Sequence, residues 1–454
     1  MGSIAFLSNS RMWGLFMHGR DSGESGISAR WAAGVLLAGV AALVIQALLI
    51  PLRAAPQFGL LANQSDLEIY RSGALQVLHN APLYGAPVPP GGWFTYPPFA
   101  AVVFVPLALI PVDVAKLAVF IVSGVALWAT LWRSCRALGY RGDLSLAVAS
   151  VGFALVAVDL ESVRGTLWQD QINLILMAII VWDLTRPPTA RLRGWTIGLA
   201  AGVKLTAVVF LPYLVLTRQW RAARSATVTA VATVIAASVI IPADSGEYWL
   251  HAVHDVDRIG PLTHPFNQSI NGVLANLWAP SAPPTAVWLL LVAAAAALGY
   301  AAARKAHRAG QSLLGIVIVG LIACVVPPLA WGHHWVWIAP LLIILLHNTI
   351  QAHEHRAAWA VATAALFAAG SMWCISWIYA EIKHLGLTTV PGYIPAMTSA
   401  VDQMPNWVRA IVCGIPPTIY LAVVSAILMY EKRDGQNSPL SLRVANSDIK
   451  NPSP

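Results

Sequence analysis

Residues 63–99 read NQSDLEIYRSGALQVLHNAPLYGAPVPPGGWFTYPPF and lie between a first long apolar run and a second apolar region. Acids, aromatics, glycines and prolines come together here for the first time in an otherwise apolar chain. Asp66 and Tyr70 are four residues apart, so on a helix they share one face. A carboxylate held there could accept a proton from an incoming hydroxyl group. The stretch is therefore the candidate centre of the fold and of its chemistry.

The composition predicts a membrane protein built from helices. Hydrophobic residues make up 57% of the chain and charged residues only 11%, with a mean hydropathy of +0.66. Apolar runs of about 20 residues recur from end to end, each long enough to cross a bilayer core of roughly 30 Å. We expect an all-α polytopic membrane protein without a sizeable soluble domain. The net charge of +8 is expected to reflect orientation in the membrane and not a nucleic-acid partner.

Cysteine usage and the first apolar run agree with this class. Cys135, Cys324, Cys374 and Cys413 lie in or beside apolar runs without a CxxC pair, so we predict buried thiols and neither disulfides nor a metal site. The run 31–52 is too long for a signal-peptide core and lacks an A-x-A cleavage pattern, so it is predicted to remain as an anchor.

The distribution of Lys and Arg predicts about twelve crossings with both ends in the cytoplasm. Residues 1–30 are expected to form a cytoplasmic tail, 31–430 the transmembrane domain and 431–454 a disordered cytoplasmic tail. Residues 95–111, interrupted by prolines, are predicted as a juxtamembrane or re-entrant helix, and 243–284 as an outer loop. The predicted crossings are 31–52, 113–132, 144–160, 171–185, two short helices within 195–217, 225–242, 285–303, 312–330, 335–350, 357–379 and 407–430.

The segment 195–217 is mostly apolar but carries Lys204 and lies between two basic loops. A single crossing would place Arg218, Arg221 and Arg224 outside, against the positive-inside rule. A hairpin of two short helices turned near Gly202 keeps both basic loops inside and lifts Lys204 toward the outer face. There Lys204 could either snorkel to the lipid headgroups or bind a lipid phosphate.

Five polar clusters fall on the predicted outer side. The pattern H-x-x-H-D-x-D beginning at His251 has metal-like spacing, although such loop side chains are more often solvated. The pair His333–His334 could belong to a functional site or, equally, could anchor a tryptophan belt at the membrane interface. The first cluster is residues 66–71, and the second is residues 159–173, which include Glu161, Arg164, Gln171 and Asn173. The third is Lys204 alone. The fourth is residues 251–269, which include Asn267 and Gln268, and the fifth is the pair His333–His334.

Six motifs in one order give the chain a family resemblance. The chain resembles glycosyltransferase family 87, whose members are polytopic GT-C enzymes of actinobacteria, over roughly residues 30–430. Within that family it is most similar to polyprenol-phosphate-mannose-dependent α-(1→2)-mannosyltransferases that act on phosphatidylinositol mannosides. The motifs are D-L-x-x-Y from Asp66, FTYPPF at 94–99, QINL at 171–174, GLAAGVKLT at 198–206, N-Q-S-x-N-G at 267–272 and H-H-W-x-W at 333–337.

The resemblance implies a mannosyltransferase in the plasma membrane, active on its outer face, with a polyprenyl-phosphate-mannose donor and a glycolipid acceptor among membrane lipids. It implies Asp66 as the general base. The donor phosphate is expected to meet Lys204, His333, His334 and Arg164, because cations stabilise the charge that develops on the leaving group. The expected substrate-binding residues are Glu68, Tyr70, Tyr96, Gln171, Asn173, Asn267 and Gln268.

Cofactor use and the neighbouring activities stay open at this point. A second acidic residue found in the first outer loop of some GT-C enzymes has no counterpart here unless Glu68 serves, so no cofactor is predicted and a divalent metal is the alternative. The alternatives from sequence are an arabinofuranosyl donor, a twelve-helix transporter and a lipid-binding scaffold. A transporter would be expected to show two related halves, and none are visible in this chain.

Overall fold

The computed structural model describes residues 25–49, 52–53, 59–352, 355–371 and 404–429. These residues fold into α-helices joined by turns and short 3₁₀ helices, and they contain no β-strand, so the all-helical prediction is confirmed. In chain order the first nine helices are α1 Ala29–Leu49, α2 Ser65–Leu78, α3 Pro98–Val103, α4 Val105–Ala108, α5 Val112–Ala137, α6 Leu144–Ala157, α7 Glu161–Gln169, α8 Asn173–Leu184 and α9 Trp195–Val203.

The second half of the described chain continues the same architecture. Short 3₁₀ helices cover Leu205–Val209 and Gly332–Trp337, and each of them interrupts an otherwise apolar helical segment. The remaining helices are α10 Phe210–Leu216, α11 Trp220–Ile240, α12 Pro242–Leu250, α13 Ile270–Trp278, α14 Thr285–Arg308, α15 Ser312–Val325, α16 Ile338–Gln351, α17 Arg356–Gly370 and α18 Asn406–Met429.

Several helices meet the length and polarity expected of a membrane crossing. Within the described residues, six helical segments are long and apolar enough, and a seventh if α6 and α7 form one span bent by 85°. Each of the twelve predicted crossings contains a helix in the described residues, but α6, α8, α15 and the two hairpin limbs are shorter than a full crossing, and only part of the predicted crossing 357–379 is described. The class of membrane protein is therefore confirmed, while the number twelve stays a prediction.

The hairpin predicted within 195–217 is present. Helix α9 ends at Val203, the backbone of the next residue, Lys204, is extended with φ −142° and ψ 110°, and the chain returns through Leu205–Val209 and α10. The two ends of the segment lie together, because the Arg193 guanidinium donates a hydrogen bond to the Gln219 side chain. Both flanking basic loops therefore lie on one side, and Lys204 is at the tip.

Glycines allow the hairpin to pack closely against α11. A Cβ at Gly194, which has φ +98°, would lie 2.2 Å from the carbonyl oxygen of Ala222. A Cβ at Gly202 would lie 2.4 Å from Oγ1 of Thr233, which is further along α11 than Ala222. Because the contacts advance in the same direction on both helices, α9 runs parallel to α11 and carries Lys204 away from the basic loops.

The segments predicted to lie outside are more helical than the sequence indicated. The predicted loop 243–284 contains α12 and α13, so the prediction of an open loop there was wrong in part. Helix α12 starts with Pro242, a residue suited to the first helical turn. Helix α13 is capped by Ser269, whose Oγ accepts a hydrogen bond of 3.0 Å from Gly272 N. The predicted helix within 95–111 is present as α3 and α4, which meet at Phe104.

Helices α1 and α6 touch through their backbones. A Cβ at Gly39 would lie 2.5 Å from the carbonyl oxygen of Gly152, and a Cβ at Gly152 would lie 2.5 Å from that of Val35. Small residues at such crossings let membrane helices approach closely. The ring of Trp31 packs edge-on against Phe153, with centroids 5.9 Å apart. This contact attaches the first helix to the rest of the molecule.

The predicted burial of the thiols is confirmed where the structure describes them. Cys135, Cys324 and Cys413 are buried and free. Cys374, nearly all of the N-terminal tail predicted over 1–30, the predicted C-terminal tail 431–454 and the last part of the predicted helix 357–379 lie outside the described residues.

Candidate active site

A cavity of about 780 Å³ lies between α2, α7, the tip of the hairpin and the 3₁₀ helix Gly332–Trp337. Prolines and aromatic residues form much of its wall, and polar groups from distant parts of the sequence converge on it. The predicted site residues that line it are Asp66, Tyr96, Arg164, Gln171, Lys204, His333 and His334.

Asp66 lies in the first turn of α2, where a carboxylate is favoured by the helix dipole. Its Oδ2 accepts a hydrogen bond from Gln171 Nε2, which also donates to Tyr96 Oη at 2.8 Å. Tyr70 Oη donates to Gln171 Oε1 at 2.6 Å and lies 3.1 Å from Tyr96 Oη. One amide thus joins the carboxylate to two phenols, and it fixes the direction in which Asp66 faces the cavity.

The surroundings of Asp66 change its acidity. Burial raises the pKa of its carboxyl group to about 6, and the hydrogen bond from Gln171 and the charge of Lys204 oppose that rise. A carboxylate with such a pKa is still ionised at neutral pH and is a stronger base than an exposed aspartate. This is the property that a general base requires.

Lys204 enters the same cavity from the tip of the hairpin. Its Nζ donates a hydrogen bond of 2.7 Å to Asn173 Oδ1 and lies 5.8 Å from the centre of the Tyr96 ring. The ammonium group is therefore held inside the protein and does not extend to the headgroups as snorkelling requires. Asn173, at the start of α8, also donates from Nδ2 to the carbonyl oxygen of His333 at 2.8 Å.

The His333–His334 pair lies in the 3₁₀ helix beside Lys204. The two imidazole rings are 4.8 Å apart at an angle of 77°. The backbone is fixed by Asn173 and by Thr166 Oγ1, which donates to the carbonyl oxygen of His333 at 3.0 Å. The pair is thus part of the cavity wall and not only an interface anchor.

Arg164 is buried in α7 and completes the group of predicted cations around the cavity. Its Nη1 donates a hydrogen bond of 2.8 Å to Gln46 Oε1 in α1. The first helix therefore contributes to the position of a cavity cation.

The other predicted substrate-binding residues lie behind the cavity wall. Glu68 points away and forms an ion pair of 2.6 Å with Lys116. Asn267 is fully buried, and its side chain bonds to backbone groups, including Ala330 N at 3.1 Å. Gln268 Nε2 donates to Glu161 Oε1 at 2.6 Å. Tyr70 is joined to Asp66 through the side chain of Gln171.

Four charged residues that line the cavity, Glu161, Asp255, Asp257 and Arg258, were not among the predicted site residues, and two of them have defined contacts that bear on the site. Arg258 lies with its guanidinium carbon 4.3 Å from the centre of the Trp93 ring and 5.6 Å from that of Tyr84, which is a cation–π arrangement. Its position seven residues after His251, within the predicted polar cluster 251–269, was the available signal. Glu161 is the second, and it lies at the junction of α6 and α7.

The metal-like pattern does not form a site. His251 Nδ1 contacts Glu247 Oε2 at 3.0 Å, and His254 and Asp255 are exposed. Over the described ranges of the chain, no three His, Cys, Asp or Glu side chains converge in a way that could hold a metal ion.

The fold and the cavity define a helical membrane protein with a half-buried carboxylate, Asp66, and a half-buried ammonium group, Lys204, facing a common space. The model of glycosyltransferase family 87 matches residues 94–328, and no solved structure matches the chain significantly. That match begins after Asp66 and ends before His333.

Curated relatives from mycobacteria cover most of the chain. A polyprenol-phosphate-mannose-dependent α-(1-2)-phosphatidylinositol mannoside mannosyltransferase of Mycobacterium tuberculosis is 34% identical over 63% of this chain and 71% of that protein. A protein of the same name from Mycolicibacterium smegmatis is 32% identical over 68% of this chain and 74% of that protein. A polyprenol-phosphate-mannose-dependent α-(1-2)-phosphatidylinositol pentamannoside mannosyltransferase of M. tuberculosis is 32% identical over 72% of this chain and 76% of that protein.

The chain belongs to glycosyltransferase family 87. It is a glycosyltransferase, and the transporter and scaffold alternatives are set aside.

Proposed function

We propose that the protein transfers a mannosyl group from polyprenyl-phosphate-mannose to a hydroxyl group of a phosphatidylinositol mannoside or lipomannan-type glycolipid, forming an α-(1→2) link. One observation carries the proposal: Asp66 and Lys204 line one cavity as a base and a cation suited to the two ends of a displacement. The names of the relatives, all mannosyltransferases, favour mannose over arabinofuranose as the sugar.

The reaction is a single displacement at the anomeric carbon. The acceptor oxygen forms a bond to that carbon as the bond to the phosphate oxygen breaks, and the acceptor proton passes to Asp66. The electron pair stays on the leaving phosphate, whose charge Lys204, His333, His334 and Arg164 stabilise or orient. A β-linked donor and an α-linked product require one inversion and no covalent sugar–enzyme intermediate.

The remaining polar residues support these two ends. Gln171 and Tyr96 fix the carboxylate of Asp66, and Asn173 fixes the ammonium group of Lys204. The other expected substrate-binding residues do not meet the substrate in this proposal and act through the side chains or backbone groups that they contact. These residues are Glu68, Tyr70, Asn267 and Gln268.

The lipid chain of the donor has a suitable place beside the cavity. An apolar groove of about 290 Å³ lies between the hairpin, α3 and α11, and it shares Pro97 and Leu205 with the cavity. Val231 and Ile235 of α11 face outward on this side, with 50% and 58% of their surface exposed. A polyprenyl tail in this groove would enter from the membrane and bring its phosphate to Lys204, next to Leu205.

The proposal includes a GT-C arrangement of about twelve crossings with a long first outer loop. Residues 31–430 form the transferase domain between two cytoplasmic tails, 1–30 and 431–454. The cavity opens on the extracytoplasmic side of the plasma membrane, because the basic loops at both ends of the hairpin are expected inside. No metal ion is part of the proposed mechanism.

Cysteine labelling in intact cells is expected to place the start of α11 and the loop before α14 on opposite sides of the membrane. With an impermeant reagent, Ser281→Cys should label and Arg221→Cys should not. Both residues are exposed in the structure, but Ser281 lies in the predicted outer loop before α14 and Arg221 lies beside the predicted cytoplasmic loop at the start of α11. Permeabilised cells, in which Arg221→Cys becomes reactive, and the unsubstituted protein are the controls. Strong labelling of Arg221→Cys in intact cells would contradict the topology.

Membranes that contain the protein are expected to incorporate label from polyprenyl-phosphate-[¹⁴C]mannose into an acceptor glycolipid. The linkage is checked by digestion with a mannosidase specific for α-(1→2) bonds. A matched donor that carries arabinofuranose separates the two sugar classes. Transfer of arabinofuranose without transfer of mannose would overturn the proposed substrate, and transfer of neither would overturn the proposed function.

A further inference from the structure

Glu161 is a carboxylate of the cavity wall that the proposed mechanism does not use. It is the first residue of α7, directly after the 85° bend between α6 and α7. Its Oε1 accepts a hydrogen bond of 2.6 Å from Gln268 Nε2. Its Oε2 is buried and has no hydrogen-bond partner within the described part of the chain.

The position of this carboxylate is sterically enforced. A Cβ at Gly332 would lie 2.1 Å from Glu161 Oε1 and 3.1 Å from Gln268 Nε2, so any side chain there would displace the pair. A Cβ at Gly165, one turn further along α7, would lie 3.3 Å from His333 Cβ. Two glycines, Gly165 and Gly332, thus let α7 pack against the 3₁₀ helix. Glu161 therefore lies against Gly332, the residue that precedes His333.

A buried carboxylate oxygen without a partner is costly, because its lost hydration is not replaced. Glu161 lines the cavity, so a modest turn of its side chain would let a ligand that brings hydroxyl groups replace that hydration. The neighbouring wall, His333 with Lys204, is the proposed phosphate side of the donor, and the sugar of the donor is bonded directly to that phosphate. The first hydroxyl groups that reach Glu161 are therefore those of the sugar being transferred.

We propose that Glu161, held by Gln268 and Gly332, accepts hydrogen bonds from hydroxyl groups of the mannosyl unit of the donor and is a sugar-recognition residue. This inference rests on the proposed function, since it takes the donor to be a polyprenyl-phosphate sugar. Asp66 remains the base in this proposal. It faces the cavity from α2, and its carboxylate belongs to a separate hydrogen-bond network, that of Gln171.

Glu161→Gln is expected to weaken binding of polyprenyl-phosphate-mannose by about ten- to hundredfold, the loss typical of a hydrogen bond to a charged group. Binding of polyprenyl phosphate, which has no sugar, should stay within about twofold of the wild-type value. Both affinities are measured on the purified full-length protein without acceptor. Gly332→Ala, which displaces Glu161 without removing its charge, should give the same selective loss, and Glu247→Gln at an exposed site should behave as wild type.

The two ligands make the outcomes distinct. Equal weakening of both ligands, or of neither, in Glu161→Gln would overturn the sugar-recognition role. If neither cavity variant folds, the wild-type protein still gives a test, because equal affinity for polyprenyl phosphate and for its mannosyl derivative would also overturn the inference. Wild-type transfer from the mannosyl donor is measured in parallel, so that failure of the proposed function is recognised separately.

Discussion

Replacement of Asp66 with asparagine is expected to lower kcat by roughly 10²–10⁴, the usual contribution of general acid–base catalysis. Asparagine keeps the shape of the side chain and can still bond to Gln171, but it cannot accept the acceptor proton. Donor affinity should therefore stay near the wild-type value. Single-turnover transfer and donor binding, measured separately on purified protein, check the two halves of this expectation.

Glu68→Gln is the matched control for Asp66→Asn. Glu68 lies two residues along α2, pairs with Lys116 and does not line the cavity, so its loss should be much milder. Activity of the wild-type protein should rise with pH through about 6, because burial raises the pKa of Asp66 to about 6 and only the ionised form is a base. That rise should disappear in Asp66→Asn. A larger loss in Glu68→Gln than in Asp66→Asn would assign the base to Glu68.

Lys204→Gln is expected to reduce the rate of transfer by roughly 10²–10³, as for other groups that stabilise developing charge. The glutamine can keep the hydrogen bond to Asn173, so the hairpin should fold normally. The measurement is kcat at saturating donor, together with the yield and the thermal unfolding of the purified protein. Product inhibition by polyprenyl phosphate should weaken in the same variant.

The control for Lys204→Gln removes a cation at the other end of the hairpin region. Arg221 is exposed at the start of α11 and is remote from the cavity wall, so Arg221→Gln should retain nearly all activity. A loss of less than about threefold in Lys204→Gln would leave the residue no part in the chemistry, in spite of its position in the cavity wall.

The hairpin shows what the sequence was able to predict. Two basic loops separated by 195–217 required an even number of passes, so charge alone predicted the turn near Lys204. The lengths of the helices were less accessible. Helix α9 ends just before Lys204, and the chain bends between α6 and α7 just before Glu161. These breaks depend on contacts with other helices and not on local propensity. Apolar runs in the sequence therefore predicted where helices lie better than how far they extend.

The site was predictable as a set of residues but not as a network. Asp66, Gln171 and Tyr96 occur in separate motifs, and nothing in their spacing indicates that one amide joins them. Asn267 shows the converse, since a buried polar residue that ties backbone groups looks the same in sequence as one that meets a ligand. Arg258 belongs to the predicted cluster 251–269, but its stacking on Trp93 was not predictable, because it joins two segments that are far apart in the sequence.

The contact between Gly39 and Gly152 has a consequence for the order of assembly. The first helix leaves the ribosome long before α6 exists, and at roughly 5–20 residues per second it stays unpartnered in the lipid for on the order of ten seconds. Only when α6 arrives can α1 settle and bring Gln46 to Arg164. One cation of the cavity wall is thus secured late in biosynthesis by a helix inserted early, and a bulky residue at Gly152 would harm maturation while leaving the chemical groups in place.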